Sequence, residues 1–425
     1  MTAVAASRQE MESAWPQWRG PLANGTSAKA KPPIEWSETK NVRWKIPLPG
    51  KGHSSPIVFG DRVYLLAAAP VGEALPPVHD SAPGVHDSIP VTHRHQYMVL
   101  ALARSDGRTL WKTVVKEVFP HEGGHNTGSP VSNSPVTDGE RLYAFFGSRG
   151  LYCLDFGGRV LWQKDLGRMQ TLHAHGEGSS PVVHGDTLIV NWDHEAESYI
   201  YAFDKATGEQ RWKVRRDEVT SWSTPLVVEV EGKPQVIVSA TKRIRGYDLA
   251  TGKEIWECGG LTDNVVASPV FKDGILIAGV SYTKQAMLGI RVAGARGDIT
   301  GSEHVLWAIN RNTPYVPSPL VYGETLYVIR HNQNVLGRLD PATGKLRGEL
   351  LRVNGIRDFI FSSPIAADGR VYVTGRDGTT VVLKAGAEEE VLATNKLEDT
   401  FSASPALAGS ELYLRGEKFL YCLAE

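Results

Sequence analysis

The sequence is dominated by one repeated unit that begins with Ser-Pro or Thr-Pro. Successive copies of this dipeptide are separated by 79, 46, 44, 44, 50, 45 and 41 residues. Each copy is followed by an apolar alternation, a glycine turn, two further β-runs and a closing strand that often carries Trp. About 40–45 residues is the length of a four-stranded propeller blade. The eight copies are Ser55-Pro56, Ser134-Pro135, Ser180-Pro181, Thr224-Pro225, Ser268-Pro269, Ser318-Pro319, Ser363-Pro364 and Ser404-Pro405.

The turns between these runs favour strands throughout. Hairpins such as ADGRVYV and YGETLYV place Gly beside Asp or Glu, and Gly supplies the positive φ that tight hairpins need. No unit shows a sustained period of 3.6 residues, so helix should be scarce. We therefore predict an all-β protein, an eight-bladed β-propeller of four-stranded antiparallel blades.

The two ends of the repeat predict how the ring closes. The unit that starts at Ser404 ends after its third strand, in KFLYCLAE, whereas a surplus strand, NVRWKIPL, precedes the first unit. If residues 42–48 pair with residues 418–424, the N-terminal strand completes the last blade and removes two exposed sheet edges. The propeller domain would then span residues 42–425.

Tryptophans indicate how the remaining parts pack. Residues 1–41 are too few for a core of their own. We expect this extension to wrap the outside of the propeller, with Trp15, Trp18 and Trp36 in grooves between blades. The regular fourth-strand tryptophans should pack between blades; they are Trp44, Trp111, Trp162, Trp212, Trp256 and Trp307.

Charge, cysteine content and hydropathy argue against several classes of protein. The net charge is −1 and no long basic run occurs, so we expect no nucleic-acid partner. The three cysteines are far apart, which argues against a disulfide framework. No apolar stretch approaches the roughly 20 residues of a membrane-spanning helix. The N-terminus lacks the apolar core of a signal peptide, so either the protein is cytoplasmic or its leader is absent from this chain.

The units YAFDKATGEQRWKV and YDLATGKEIWEC resemble the repeat of pyrroloquinoline-quinone-dependent dehydrogenases and of the outer-membrane barrel-assembly lipoprotein. The opening WPQWRGPLANGTS, with GSRGLYCLD and GRDGTTVVLK, resembles a group of propellers found as exported proteins in environmental bacteria. The resemblance implies the propeller fold over residues 42–425 and a periplasmic or secreted location. Eight-bladed quinone dehydrogenases stack their cofactor on a disulfide of adjacent cysteines, which this sequence lacks, so we do not expect bound pyrroloquinoline quinone.

Propeller topology gathers the histidines on one rim. The loops before the Ser-Pro units and the loops between second and third strands lie at the same end of the blades. Eleven of the thirteen histidines fall in these loops, and side chains that converge on the central channel form the usual site of a propeller. The eleven are His53, His79, His86, His93, His95, His121, His125, His173, His175, His194 and His331.

Candidate residues for three roles come from the same loops. Imidazoles and carboxylates suit Zn, Mn or Ca, and a His with an Arg and a Tyr can abstract a proton beside a carboxylate. Indole rings suit a sugar ring. The candidate catalytic residues are His53, His125, Tyr315 and Arg357; the candidate cofactor- or ligand-binding residues are Trp192, Trp222, Arg243 and Arg376; the candidate metal ligands are His175, Glu177, Asp193 and His194.

These residues favour a monomeric propeller that binds a small polar molecule, such as a carbohydrate, in a His-rich funnel. A divalent metal would be bound there too, with or without lyase- or hydrolase-type catalysis. One alternative is a protein-interaction scaffold similar to the barrel-assembly lipoprotein, and a second is a quinone-dependent dehydrogenase. The residues expected to approach the funnel are His53, His125, His175, Glu177, Asp193, His194 and Trp222.

Overall fold

The computed structural model describes residues 7–77, 84–386, 388 and 390–425. Eight antiparallel sheets form a closed eight-bladed propeller, which confirms the predicted fold class. Helix is scarce in the described part of the chain: it comprises the α-helix Arg8–Ser13 and the 3-10 turns Gly147–Arg149 and Leu172–Ala174.

Each blade runs from an innermost strand at the axis to an outermost strand at the surface. Blades one to four consist of Ile57–Phe59, Arg62–Val71, Arg94–Ala103 and Thr109–Val118; Val136–Thr137, Arg141–Phe145, Leu151–Asp155 and Val160–Lys164; Val182–His184, Thr187–Trp192, Ser198–Asp204 and Gln210–Arg216; Leu226–Val230, Lys233–Val238, Ile244–Asp248 and Glu254–Cys258. Blades five to seven consist of Val270–Lys272, Ile275–Val280, Ala286–Arg291 and Val305–Ile309; Leu320–Tyr322, Thr325–Ile329, Val335–Leu339 and Leu351–Arg352; Ile365–Ala367, Arg370–Thr374, Thr379–Lys384 and Val391–Lys396. Among the described residues, four two-residue strands lie outside this scheme: Thr26–Ser27, Ser88–Ile89, Gly124–His125 and Gly297–Asp298.

Blade eight contains strands from both ends of the chain. Ala406–Ala408, Glu411–Arg415 and Phe419–Leu423 form its inner three strands, and Val42–Pro47 is the fourth. Val42–Pro47 runs antiparallel to Phe419–Leu423. The predicted closure of the ring is therefore confirmed.

The Ser-Pro units link neighbouring blades near the axis. The backbone N–H of Ser55 donates to Oγ of Ser134, and the N–H of Ser134 donates to Oγ of Ser180, both over 2.9 Å. The same bond recurs between successive units as far as Ser363 and Ser404. Seven such bonds join the eight inner strands. This role explains why every repeat begins with a hydroxyl side chain.

Five of the six fourth-strand tryptophans pack against a turn of the next blade, as predicted, whereas Trp256 lies in the apolar cluster of blades four and five and donates from Nε1 to Oε1 of Gln235 in its own blade. Trp162 donates from Nε1 to the carbonyl of Lys205 in the neighbouring turn. A methyl group at Gly208 of that turn would lie only 2.8 Å from the Trp162 ring, so the turn needs Gly to approach the indole. Equivalent pairs join Trp44 to Gly107, Trp111 to Gly158, Trp212 to Gly252 and Trp307 to Gly344.

Part of the N-terminal segment runs inside the ring rather than around it as expected. Thr26–Ser27 pairs in parallel with the innermost strand of blade seven, on the side that faces the axis. Trp15 exchanges two backbone hydrogen bonds of 2.9 Å with Val58 of blade one. Residues 15–27 therefore cross the channel at the end opposite the His-rich rim.

Arg19 fastens this crossing to the far side of the ring. Its Nη1 donates to the carbonyl of Pro364 over 2.9 Å, and its Nη2 donates to the carbonyl of Pro319 over 2.6 Å. The guanidinium is buried, which lowers its pKa to about 9. Trp18, the preceding residue, is half-buried and faces the axis.

The rest of the segment follows the groove between blades seven and eight. Trp36 is buried there and stacks on Tyr372, with 6.4 Å between ring centres. Its backbone N–H donates to Oδ1 of Asn395 over 2.8 Å. This packing matches the expectation for Trp36, and Trp15 is buried as well.

The three cysteines are buried as free thiols, one each in blades two, four and eight. In the described residues we find no helix of the length and apolarity that spanning a membrane requires.

Candidate functional site

A cavity of about 470 Å³ lies on the propeller axis. Its walls come from the loops before the innermost strands and from loops between second and third strands. Trp18 forms its floor, beside the ring of Ser and Thr side chains from the Ser-Pro units. Sites for small molecules commonly enclose about 300–1,000 Å³. This axial funnel opens at the predicted His-rich rim.

Half of the twelve candidate residues line the axial funnel. They reach it from blades one, two, three, four and six. Of the seven residues expected to converge there, Asp193 and His194 do not line it. The six candidates that do are His53, His125, His175, Glu177, Trp222 and Tyr315.

Asp193 is a structural ion-pair residue. Its Oδ1 accepts from Nε of Arg216 over 2.7 Å and its Oδ2 accepts from Nη2 of Arg216 over 3.1 Å. Ser221 and Asn191 also donate to Oδ2, and both charged side chains are fully buried. Both oxygens of the Asp193 carboxylate therefore already accept hydrogen bonds from other residues of the protein.

The other candidate metal ligands also have separate partners. His194 uses Nε2 on the carbonyl of Glu197 and Nδ1 on the N–H of Gln170. Glu177 accepts from the backbone and hydroxyl of Ser148 and from Arg149. His175, Glu177, Asp193 and His194 therefore share no common point. Among the residues that the structure describes, no three His, Cys, Asp or Glu side chains surround one point as they stand.

Four further candidates lie away from the funnel lining. Trp192 is buried in the core between blades two and three, and Arg243 pairs with Asp298 on the surface. Arg357 is exposed. Arg376 sits behind the wall, with its guanidinium 4.9 Å from the ring centre of Phe361.

His53 contributes a neutral imidazole to the funnel wall. Its Nε2 is buried and has no hydrogen-bond partner in the structure. Burial, and then the charges of Lys51, Arg415 and Arg376, lower the pKa of His53 to about 3. Arg415 is itself buried, and its Nη1 donates to the carbonyl of Ser54. The side of the funnel formed by blades seven, eight and one is therefore electropositive.

His53 should make the fold sensitive to acid. The pKa of this imidazole is near 6.5 in the unfolded chain but about 3 in the folded protein. The contribution of neutral His53 to the free energy of unfolding is therefore complete above pH 6.5 and is lost as the pH falls towards 3. Replacing His53 with Gln should reduce the loss of stability between pH 7 and pH 5 by about 1–2 kcal/mol. Urea unfolding at both pH values measures this. His184→Gln, at an exposed hairpin, is the control, and equal slopes for wild type and His53→Gln would contradict the prediction.

Aromatic side chains form much of the remaining wall. Tyr315 is stacked between Tyr282 and His331, with ring centres 5.5 and 5.0 Å away. Trp222 lines the funnel before blade four and donates from Nε1 to the carbonyl of Gly176, in the loop before blade three, over 2.7 Å. Phe361 lies on the blade-seven side. Tyr282 and Phe361 occur in the loop classes selected from the sequence, but their residue types did not single them out.

Four imidazoles cluster at the edge of the funnel, where the long insertion of blade one reaches blades two and three. The two-stranded ribbon of Ser88–Ile89 and Gly124–His125 holds these loops together. The clustered residues are His86, His125, His173 and His175. Burial, more than the neighbouring imidazoles, lowers the pKa of His175 to about 4. His79, which was assigned to the same rim, lies outside the described residues.

A second cavity, of about 300 Å³, lies beneath the ribbon. His125 and Glu177 line both cavities, so the two adjoin. Tyr97 also lines the second cavity, and its buried hydroxyl has no hydrogen-bond partner in the structure. Nothing in the alternating strand around Tyr97 indicated this cavity.

Comparisons with known proteins agree with the propeller fold of this chain. A model of the family described as outer membrane protein assembly factor BamB matches residues 96–347. A BamB protein of Shewanella oneidensis is 25% identical over 301 residues, which cover 67% of this chain. The match covers 66% of that relative, slightly less than two thirds of its length.

Solved structures agree with the propeller fold at low sequence identity. BamB from Moraxella catarrhalis is 14% identical, with a TM-score of 0.57 over 85% of this chain and 98% of its own. Quinohemoprotein alcohol dehydrogenase from Comamonas testosteroni is 11% identical, with a TM-score of 0.62 over 97% of this chain and 80% of its own. None of the three cysteines lines the funnel, so its described residues do not fit a quinone stacked on a disulfide.

Proposed function

The chain belongs to the family described as outer membrane protein assembly factor BamB, and we propose that this propeller binds a small, ring-shaped polar ligand, such as a carbohydrate, in its axial funnel. We also propose that it acts outside the cytoplasm, since the curated relative is an outer membrane assembly factor. The observation that carries the binding proposal is the stacking surface around a closed-ended cavity.

The funnel wall combines flat aromatic faces with polar edges. Trp222 and the stack of Tyr282 and Tyr315 come from the consecutive blades four, five and six, so they form a continuous aromatic surface along one side of the cavity. A saccharide ring presents apolar faces and hydroxyl edges, so it can pack on such rings while its hydroxyls find hydrogen-bond partners. Trp18 limits the depth to which a ligand can enter.

Polar groups suited to hydroxyls lie across the cavity from the aromatic surface, on the side formed by blades eight, one and two. The unpaired Nε2 of His53 can accept or donate one hydrogen bond, depending on the tautomer. Ser402 and Thr127 add hydroxyls at the wall. Because Lys51, Arg376 and Arg415 surround His53, a ligand with a carboxylate is favoured over a neutral one on this side.

Replacing Trp222 with Ala tests the proposal. Indole fluorescence would be titrated with a neutral hexose, a hexuronic acid and their disaccharides, since Trp18 and Trp222 both face the cavity. Loss of the stacking surface, worth about 1.4 kcal/mol, should weaken binding about 10-fold. Tyr199→Ala, on the outside of blade three, should bind as the wild type does. If none of these probes binds the wild-type protein, the saccharide proposal is overturned.

A protein-interaction scaffold is the second candidate. Tyr282 and Phe359, which line the funnel, are 40% and 51% exposed, and Ile89, at the adjoining cavity, is 50% exposed. Exposed apolar residues grouped at a rim favour a protein partner. A partner that inserts a side chain into the funnel would compete with the saccharide probes. Unchanged partner binding in Trp222→Ala, together with its loss in Phe359→Ser, would favour the scaffold.

A further inference from the structure

The cavity of about 300 Å³ beneath the two-stranded ribbon, which we call the ribbon cavity, has room for a ligand of its own. Its walls come from blade one, from the loop before blade two and from the turn between the second and third strands of blade two, so the tertiary fold creates it. An apolar cavity of about 150 Å³ is sufficient to bind benzene. The ribbon cavity is therefore large enough for one or two aromatic rings.

Rings of the protein form much of the cavity wall. Phe146 and Tyr97 line it and pack edge to face, with 5.9 Å between ring centres and an angle of 79° between ring planes. Aromatic pairs prefer such edge-to-face or offset contacts, so these side chains can receive a further aromatic ring. Apolar proline rings line the cavity as well: Pro70, Pro90, Pro120 and Pro130.

The hydroxyl of Tyr97 is a polar group without a partner at this wall. Tyr97 is 1% exposed, and its Oη has no hydrogen-bond partner in the structure. The guanidinium of Arg149 lies 5.5 Å from the centre of the Tyr97 ring, but its Nη1 donates to Glu177. A buried hydroxyl without a bond lowers stability, so a ligand that bonded to Oη would gain the interaction that the chain leaves unmade.

His95 supplies a hydrogen-bond acceptor on the same face of the strand. It precedes Tyr97 by two residues in Arg94–Ala103, and the two ring centres are 6.3 Å apart. Its Nδ1 lies 3.1 Å from the carbonyl oxygen of His93. A carbonyl only accepts, so Nδ1 carries the proton and Nε2 keeps its lone pair. Burial lowers the pKa of His95, so this imidazole is neutral at pH 7.

The charged residues at the ribbon cavity disfavour an anionic ligand. Arg149 and Glu177 are both largely buried and lie 2.7 Å apart, so their charges compensate each other. Lys51 has Glu417 as a partner at 3.7 Å. The carboxylate of Glu122 also lines the cavity and would repel a second carboxylate.

We infer that the ribbon cavity is a binding site for an uncharged aromatic alcohol, such as a phenol. A phenolic hydroxyl accepts one hydrogen bond and donates another, so it can accept from Oη of Tyr97 and donate to Nε2 of His95. Its ring then packs against Phe146 and the proline rings. The inference does not depend on the saccharide proposal, because Trp222 and Tyr315, which carry that proposal, line the funnel and not this cavity.

Isothermal titration calorimetry with phenol tests the inference. Phenol should bind at one site per chain, and 2-naphthol should bind more tightly because its second ring covers more apolar wall. Benzoate should bind about 10-fold more weakly than phenol, because its carboxylate would be desolvated beside Glu122. Tyr97→Phe keeps the ring and removes one hydrogen bond, so it should weaken phenol binding about 3- to 10-fold. Thr92→Phe, which places a ring in the half-buried wall, should abolish binding.

Two further variants serve as controls. Tyr199→Phe also loses a hydroxyl bond, to Glu197 on the outside of blade three, and should bind phenol as the wild type does. Trp222→Ala should bind phenol normally even where it loses saccharide binding, which separates the two proposals. Circular dichroism verifies that each variant folds. The inference is overturned if phenol does not bind the wild type, if Tyr97→Phe or Thr92→Phe binds it equally well, or if Trp222→Ala loses it.

Discussion

Deleting residues 42–48, which contain the strand that completes blade eight, should destabilise the entire propeller. The deletion exposes the edge of Phe419–Leu423 and removes Trp44, a buried residue of the cluster shared by blades eight and one. Removing one buried Trp side chain alone costs about 3–5 kcal/mol, so the deletion should exceed that. Thermal unfolding followed by circular dichroism should show a midpoint lower by many degrees, together with aggregation through the free edge.

Truncation of residues 1–13 is the matched control for this deletion. It removes the exposed helix Arg8–Ser13 but leaves Trp15 and the axial crossing in place. Its unfolding midpoint should stay within a degree or two of the full chain. A deletion of residues 42–48 that melts at the same temperature as this control would show that the strand does not hold the ring closed.

Asp193→Ala should be among the most destabilising single substitutions in the chain. It leaves Arg216 buried without its carboxylate, and breaking a buried ion pair by removing one partner costs about 3–5 kcal/mol. Tyr247 Oη would remain near Nη1 of Arg216, but a hydroxyl carries no charge to compensate the guanidinium. Urea unfolding monitored by tryptophan fluorescence gives the loss directly.

Asp217→Ala is the control for this substitution, because the pair of Asp217 with Lys242 is exposed and should contribute less than about 1 kcal/mol. The double variant Asp193→Leu with Arg216→Met should recover part of the stability, since an apolar pair leaves no buried charge. If Asp193→Ala costs no more than Asp217→Ala, the structural role of Asp193 is wrong.

The repeat in the sequence was sufficient to predict the blades, their number and the closing strand. Each feature rests on a short-range pattern: the Ser-Pro unit, the glycine turn and the recurring Trp. The path of Thr26–Ser27 along the axis was not predictable in this way. The segment has no periodicity, and the partners of Arg19, Pro319 and Pro364, lie 300 and 345 residues away in the sequence.

The site was predictable in its location but less so in its chemistry. His53, Trp222 and Tyr315 were placed correctly at the funnel from the type of loop that contains them, because the topology of a blade decides at which end each loop lies. Blade topology does not decide the direction in which a side chain points. Asp193 follows a buried strand and turns towards Arg216, whose position on a different strand sets the orientation of the carboxylate.

Closing blade eight with Val42–Pro47 makes the order of synthesis differ from the order of assembly. Val42 pairs with Leu423, so the first strand of the ring to leave the ribosome is the last to find its neighbour. Extending a closed loop from about 45 to about 380 residues adds only about 2 kcal/mol of entropy cost, but such distant pairing slows folding. The edge of Val42–Pro47 therefore stays unpaired during synthesis until Phe419–Leu423 has left the ribosome, and an unpaired strand edge can associate with other chains in that interval.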